Sequence, residues 1–300
     1  MLFWGMSFVW SKIVLKYYDP ITTVLLRLII SSVILFIGLI LFKRLQKLNL
    51  KDIKLFLLSA LLNPFLYFLG ENYGLKHSSP TVTAVIIATI PVFTPLIAYF
   101  ALKERLTKLN LLGLFISFFG VLFMLINRDY SFNASPTGVA WLALAVMAAV
   151  FYSILLKKLA VKYNPFLIIA VQNLIGVVYF SPLFLVFDYQ HFIQVEPNSE
   201  LITSLLLLAV FASSLAFVFF TISAREIGVS KTNLFANLIP VFTAIFSYFI
   251  LKEHFELRKI VGMMVVITGV LLSQLNRQSK FVNFYRFILF KKKGENKNSE

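Results

Sequence analysis

The 300-residue sequence contains no cysteine, three histidines and only 14% charged residues. Without cysteine there can be no disulfide, no thiolate nucleophile and no thiolate metal site. His77, His191 and His254 are scattered, with no metal-ligand spacing between them. There is no Gly-rich phosphate loop and no nucleophile elbow either, so no cofactor is expected and neither ATP-driven work nor catalysis has residues to carry it. The low charge excludes an ordinary soluble globule, in which about 25% of residues are charged. The 33 phenylalanines exclude a disordered chain. Acidic side chains are scarce, 13 against 28 Lys and Arg. The basic residues flank apolar runs instead of forming one patch, so they read as membrane-loop charge and not as a nucleic-acid site.

What is abundant is apolar length: 59% hydrophobic residues and a mean hydropathy of +0.86. A spanning helix needs about 20 apolar residues. Ten runs qualify, approximately 1–16, 21–42, 53–73, 80–102, 109–127, 137–156, 165–187, 201–223, 231–251 and 258–276. The expected fold class is therefore all-α integral membrane, with ten transmembrane helices. The first run is short and opens at Met1 with no charged leader. It reads as a first helix lacking its beginning, not as a signal peptide.

Lys43, Arg44, Lys47, Lys51 and Lys54 follow the second run, and Lys103, Arg105, Lys157, Lys158, Lys162 and the tail fall on the same side. The other side has fewer basic residues, and its loop 188–200 carries Asp188, Glu196 and Glu200 with no Lys or Arg. The bias places both termini in the cytoplasm of a multi-pass protein of the cell (inner) membrane. Residues 277–300 form a basic tail around an apolar centre from Phe281 to Phe290, read either as frayed or as a helix lying on anionic lipid.

The sequence also repeats. Ile90-Pro-Val-Phe-Thr94 returns as Ile239-Pro-Val-Phe-Thr243, and at the same displacement Leu102-Lys-Glu104 returns as Leu251-Lys-Glu253. Gly113 and Gly120 likewise match Gly262 and Gly269. Lys12, Tyr18 and Pro20 match Lys157, Tyr163 and Pro165 at a slightly smaller displacement. The division expected is a first five-helix repeat over 1–130, a second over 131–276 and the tail over 277–300. Five is odd, so the second repeat enters the membrane the other way, a 5+5 inverted-topology repeat.

Trp4-Gly5, Pro20 with Arg27 seven positions on, and the paired motifs Pro91…Lys103-Glu104 and Pro240…Lys252-Glu253 resemble the EamA-type transporters of the drug/metabolite transporter superfamily. The resemblance covers nearly the whole chain. It implies ten helices in two inverted repeats, cytoplasmic termini and movement of small metabolites, often amino acids.

Polar groups inside spans mark pathways or packing. In the ninth run Asn233, Asn237, Pro240, Ala244 and Ser247 share a helical face, and their copies Ala84, Ala88, Pro91, Pro95 and Ala98 share one in the fourth. The prolines free carbonyls near Ile87 and Ala236, either for a solute or simply at kinks in packed helices. The third run offers Asn63, Tyr67 and Glu71, and the seventh Gln172 and Asn173. Glu71 reads as a buried proton carrier or a hydrated rim residue. Arg27 reads as a clamp for a solute carboxylate or as a side chain snorkelling outward. Trp4, with Phe8 and Trp10, could wall an aromatic cavity.

The glycine seams of the fifth and tenth runs signify helix packing or a homodimer. The expected function is a secondary transporter for a small polar or amphipathic metabolite, with solute and membrane lipid as partners. The alternative is a non-transporting membrane protein that handles lipid or acts as a scaffold.

Overall fold

The computed structural model describes residues 1–93, 108–125, 135–226, 232, 235–253 and 257–274. Ten helices order the described residues, with no strand among them. They are α1 (Leu2–Val14), α2 (Pro20–Leu41), α3 (Leu50–Lys76), α4 (Pro80–Phe93), α5 (Lys108–Leu125), α6 (Pro136–Ala160), α7 (Pro165–Phe192), α8 (Ser199–Glu226), α9 (Ile239–Leu251) and α10 (Leu257–Gln274). Five of these, α2, α3, α6, α7 and α8, are long and apolar enough to cross a bilayer by themselves. Lys103, Glu104, Pro95, Ala98, Asn233, His254 and the tail 277–300 lie outside the described residues.

The helix starts follow from local sequence. α2, α4, α6 and α7 each begin with proline, whose missing N–H costs nothing in a first turn. Ser79, Ser135 and Asn164 precede three of these prolines and accept backbone N–H groups of the opening turn. Asp188, expected in an external loop, is 5% exposed and caps α2 from a distance: its Oδ2 accepts from Thr22 N and Thr22 Oγ1, both at 2.9 Å. α7 runs on to Phe192, which is why this acid reaches α2 at all.

Two expected continuous helices are interrupted. The run 80–102 breaks after Ile87 and restarts at Ile90, and the run 231–251 holds a 3-10 turn, Phe235–Leu238, before α9 begins at Ile239. Pro91 and Pro240 therefore sit in the first turn after a break, where the donor they lack has no partner to lose. α3 and α8 both widen into π-helical turns, at Leu61–Leu66 and Leu208–Ala216, with Asn63 in an extended conformation (φ −144°, ψ 117°).

On α2, Thr23, Arg27 and Ser31 are buried at four-residue spacing, while Ile29, Val33 and Ile37 are exposed on another face. This inverts a soluble helix and suits one whose outer face meets lipid. The polar stripe meets α8, where Arg27 Nε donates to Ser213 Oγ at 2.7 Å and Ser31 Oγ lies 2.7 Å from Ser214 Oγ.

Glycines set the closest approaches. A Cβ on Gly5 would meet Cβ of Phe242 at 2.5 Å, so α1 touches α9 there, and Thr243 Oγ1 donates to the Gly5 carbonyl at 3.0 Å. The seam of α5 faces that of α10: a Cβ on Gly269 would lie 2.4 Å from Ser117 N and 2.8 Å from Gly113 O. These small residues are thus consumed by packing inside the chain.

Candidate functional site

A cavity of about 80 Å³ lies between the two repeats, walled by α1, α2, α3, α4, α6, α8, the turn before α9 and its first residue. Trp4, Arg27, Asn63, Tyr67, Glu71 and Pro91 line it, as do the backbone-break residues Ile87 and Ala236. The volume holds a handful of waters and is well below that of a drug-sized ligand site.

Its lining follows the internal repeat. Phe68 and Phe217, Ile87 and Ala236, and Ile90 and Ile239 stand in pairs 149 residues apart. Trp4 and Ala149, Ser7 and Tyr152, and Phe8 and Ser153 stand 145 apart. Each displacement is one that the sequence motifs already show. Tyr152, Ser153, Phe217 and Phe220 were not singled out from the sequence, yet adding the displacement to Ser7, Phe8, Phe68 and Glu71 reaches all four.

The electrostatic centre is Arg27 facing Glu71. Arg27 is 1% exposed and Glu71 3%, so the arginine does not snorkel and the glutamate is not a hydrated rim residue. Rim placement fails because Glu71 is set by its neighbours across the bundle and not by its distance from the end of α3. Arg27 Nη1 lies 4.0 Å from Glu71 Oε1, too far for a hydrogen bond, and makes none elsewhere. Nε is fixed by Ser213, and the Phe68 ring centroid is 4.3 Å from Cζ, within cation–π range. The Tyr67 hydroxyl faces the same carboxylate.

Gln172 and Asn173 are absent from the lining and brace it instead. Gln172 Oε1 accepts from Tyr152 OH at 3.0 Å and Nε2 donates to Ser59 Oγ at 2.9 Å. Asn173 Nδ2 donates to Ser31 Oγ at 2.8 Å and to the Ser213 carbonyl at 3.3 Å. Their polarity pointed at the site, but they sit on the side of α7 that faces its neighbours and not the space. Pro240 is buried beside Ile239 and does not line the cavity. Asn237 lies on the 3-10 turn and its side chain is not among those described; Asn233 is outside the described residues. Trp4 packs edge-on to Phe217 with centroids 5.0 Å apart, whereas Trp10 leaves the cavity and packs against Phe211 at 6.3 Å.

One end of the bundle is closed by polar contacts, some within the first repeat and some between the two. Lys12 Nζ donates to the carbonyls of Leu75 and Ser78, both at 2.7 Å, at the C-terminal end of α3 where the helix dipole favours a cation. Thr81 Oγ1 donates to Glu253 Oε2 at 2.9 Å. Asp19 receives Lys76 Nζ at 2.6 Å and lies 2.7 Å from His191 Nδ1. Partial burial pushes the Asp19 carboxyl up, but the contacts with Lys76 and His191 outweigh it and hold the group below its ordinary value.

Known proteins agree with this architecture. The profile of the EamA-like transporter family matches twice, over residues 1–126 and 136–275. The chain is 24% identical over 278 residues to the uncharacterized transporter YetK of Bacillus subtilis (strain 168), covering 91% of this chain and 84% of that one. It is 26% identical over 275 residues to an uncharacterized transporter of Archaeoglobus fulgidus, covering 91% and 94%. A crystal structure of a protein 16% identical in sequence superposes with a TM-score of 0.67 over 91% of this chain and 92% of that one, a likeness of fold. With two matches that together take in nearly every residue up to the tail, the chain belongs to the EamA-like transporter family, integral multi-pass membrane proteins built from ten helices as two inverted five-helix repeats.

Proposed function

We propose that the protein is a secondary carrier that moves a small polar or amphipathic metabolite, amino acids among the candidates, across the cell membrane by alternating access. The single observation that carries this reading is the cavity between the repeats, walled by repeat-related pairs and holding the buried Arg27 and Glu71. Two near-equivalent halves around one site provide two near-isoenergetic arrangements, each open to one side. Trp4, Arg27, Asn63, Tyr67, Glu71 and Pro91 contact the solute, the carbonyls freed at the breaks near Ile87 and Ala236 accept its N–H or O–H groups, and Gln172 and Asn173 hold the walls. Asn237 and Pro240 belong to the mirrored break, and Asn233, outside the described residues, is proposed as a further polar contact.

In this reading the repeats divide near residue 130 and both termini face the cytoplasm. The small-residue seam of α5 and α10 packs within one chain.

Counterflow in proteoliposomes tests the proposal. Vesicles pre-loaded with one amino acid, sugar or amphipathic amine should accumulate the labelled form of it saturably. Flux without trans-stimulation would indicate a channel. No exchange of any solute, with lipid movement or partner capture surviving Pro240→Leu, would favour a non-transporting protein.

A further inference from the structure

Resting on the carrier reading, we propose that Arg27 is the seat of a carboxylate on the transported solute and Glu71 its resident counter-ion, so that a monocarboxylate with an apolar body enters together with one proton. A guanidinium carries five N–H donors and is always charged. Here Ser213 takes the Nε donor, the Phe68 ring covers one face, and Nη1 is buried with no acceptor. Glu71, 4.0 Å away, balances the charge without forming a hydrogen bond. A planar carboxylate entering the cavity can satisfy the fork that Glu71 leaves open. Around the pair the walls are mainly aromatic and apolar, with Trp4, Phe8, Phe217 and Phe220 among them, which suits an apolar body and offers no second cation.

Charge balance then requires the proton. Arg27 and Glu71 together are neutral; a bound carboxylate alone would leave a net negative charge in a buried, mainly apolar cavity, and an uncompensated buried charge is strongly unfavourable. The groups facing Glu71 are Arg27 from α2 and Tyr67 from its own helix; the other titratable side chain of the lining, Tyr152 from α6, gives its hydroxyl to Gln172. The lining residues of α1, α4, α8 and the start of α9 carry no titratable side chain, and α7 contributes none to the lining. Once the solute takes over Arg27, nothing else neutralises Glu71 except a proton, which binds its carboxylate to give the uncharged acid. Carboxylate and proton then cross together with no net charge moved.

The probes are phenylacetate, its uncharged analogue phenylacetamide and L-phenylalanine, applied to the full chain in proteoliposomes with a pH dye inside. Phenylacetate should be taken up with one proton, its apparent affinity falling about tenfold per pH unit once Glu71 ionises, and phenylacetamide should not compete. Glu71→Gln, a fixed mimic of the protonated acid, should abolish the proton signal, flatten the pH profile and bind phenylacetate more tightly than the parent at pH 8. Arg27→Gln should weaken phenylacetate on the order of 100-fold. Because that change strands a buried carboxylate, the double variant Arg27→Gln/Glu71→Gln provides a folded control, expected to be equally blind to phenylacetate.

Phenylalanine or phenylacetamide exchange without proton movement, phenylacetate exchange with a Glu71→Gln pH profile like the parent's, or failure of phenylacetate to bind a folded protein that exchanges other solutes would overturn the inference and leave the carrier standing. Absence of exchange for every solute would overturn both.

Discussion

The two repeats share their backbone devices and differ in their chemistry. Each breaks a helix just before the Ile-Pro-Val-Phe-Thr motif, each widens its third helix into a π-helical turn, and each sends matching positions into the cavity. The charged pair, however, belongs to the first repeat alone. The counterpart of Arg27, seven residues after the matched proline, is Gln172, and the counterpart of Glu71 is Phe220. A duplicated framework thus locates the cavity, and divergence between the copies decides what it holds.

The largest expected effect comes from removing that asymmetry. Arg27→Gln leaves Glu71 buried with no cation, and losing one member of a buried pair costs about 3–5 kcal/mol. Its melting temperature in detergent should fall sharply, and adding Glu71→Gln should restore most of it. Equal melting for the single and double variants would show that the pair carries no electrostatic load.

Packing gives the next effect. Gly5 allows α1 to reach α9, while the equivalent position on α6 is the fully buried Val150. Gly5→Val inserts atoms where a Cβ alone would already sit 2.5 Å from Phe242, so a loss of about 1–3 kcal/mol is expected by thermal melting. Val150→Ala, which removes volume instead, should fall at the low end of that range.

A third comparison concerns Gln172, which stands where the first repeat has its arginine but acts as a brace. Gln172→Leu strands Tyr152 OH and should cost about 1–2 kcal/mol; combined with Tyr152→Phe the losses should be non-additive by about 1 kcal/mol. Additive losses would mean that the hydrogen bond does not couple α6 to α7.

The smallest effect is at the closed end. The Asp19 carboxyl is depressed, so its stabilisation is present above the unfolded value near 4 and is lost as pH falls through the folded one. Asp19→Asn should therefore make the acid limb of a melting-temperature profile shallower and leave the neutral region nearly level.

Much of this was legible in the order of residues. The ten runs, the displaced motifs and the polar set on the third helix are visible because span length and repetition are properties of the chain itself. What periodicity cannot supply is which neighbour a face meets. Arg27 was poised between snorkelling and a clamp because the deciding atoms, Ser213 Oγ and the Phe68 ring, come from α8 and α3. Gln172 and Asn173 carried the right polarity, but each step along a helix turns about 100°, so one position separates a wall from its support. The glycine seams show the same limit, since only the fold brings α5 against α10.

The account stands most directly on whether the cavity is reached in turn from each side. The chain has no cysteine, so Ser153→Cys places a single thiol in the cavity wall. An impermeant maleimide applied separately to right-side-out and inside-out vesicles should label it from both compartments, with transported solute shifting the balance between them. Labelling from one side only, unchanged by any solute, would contradict alternating access.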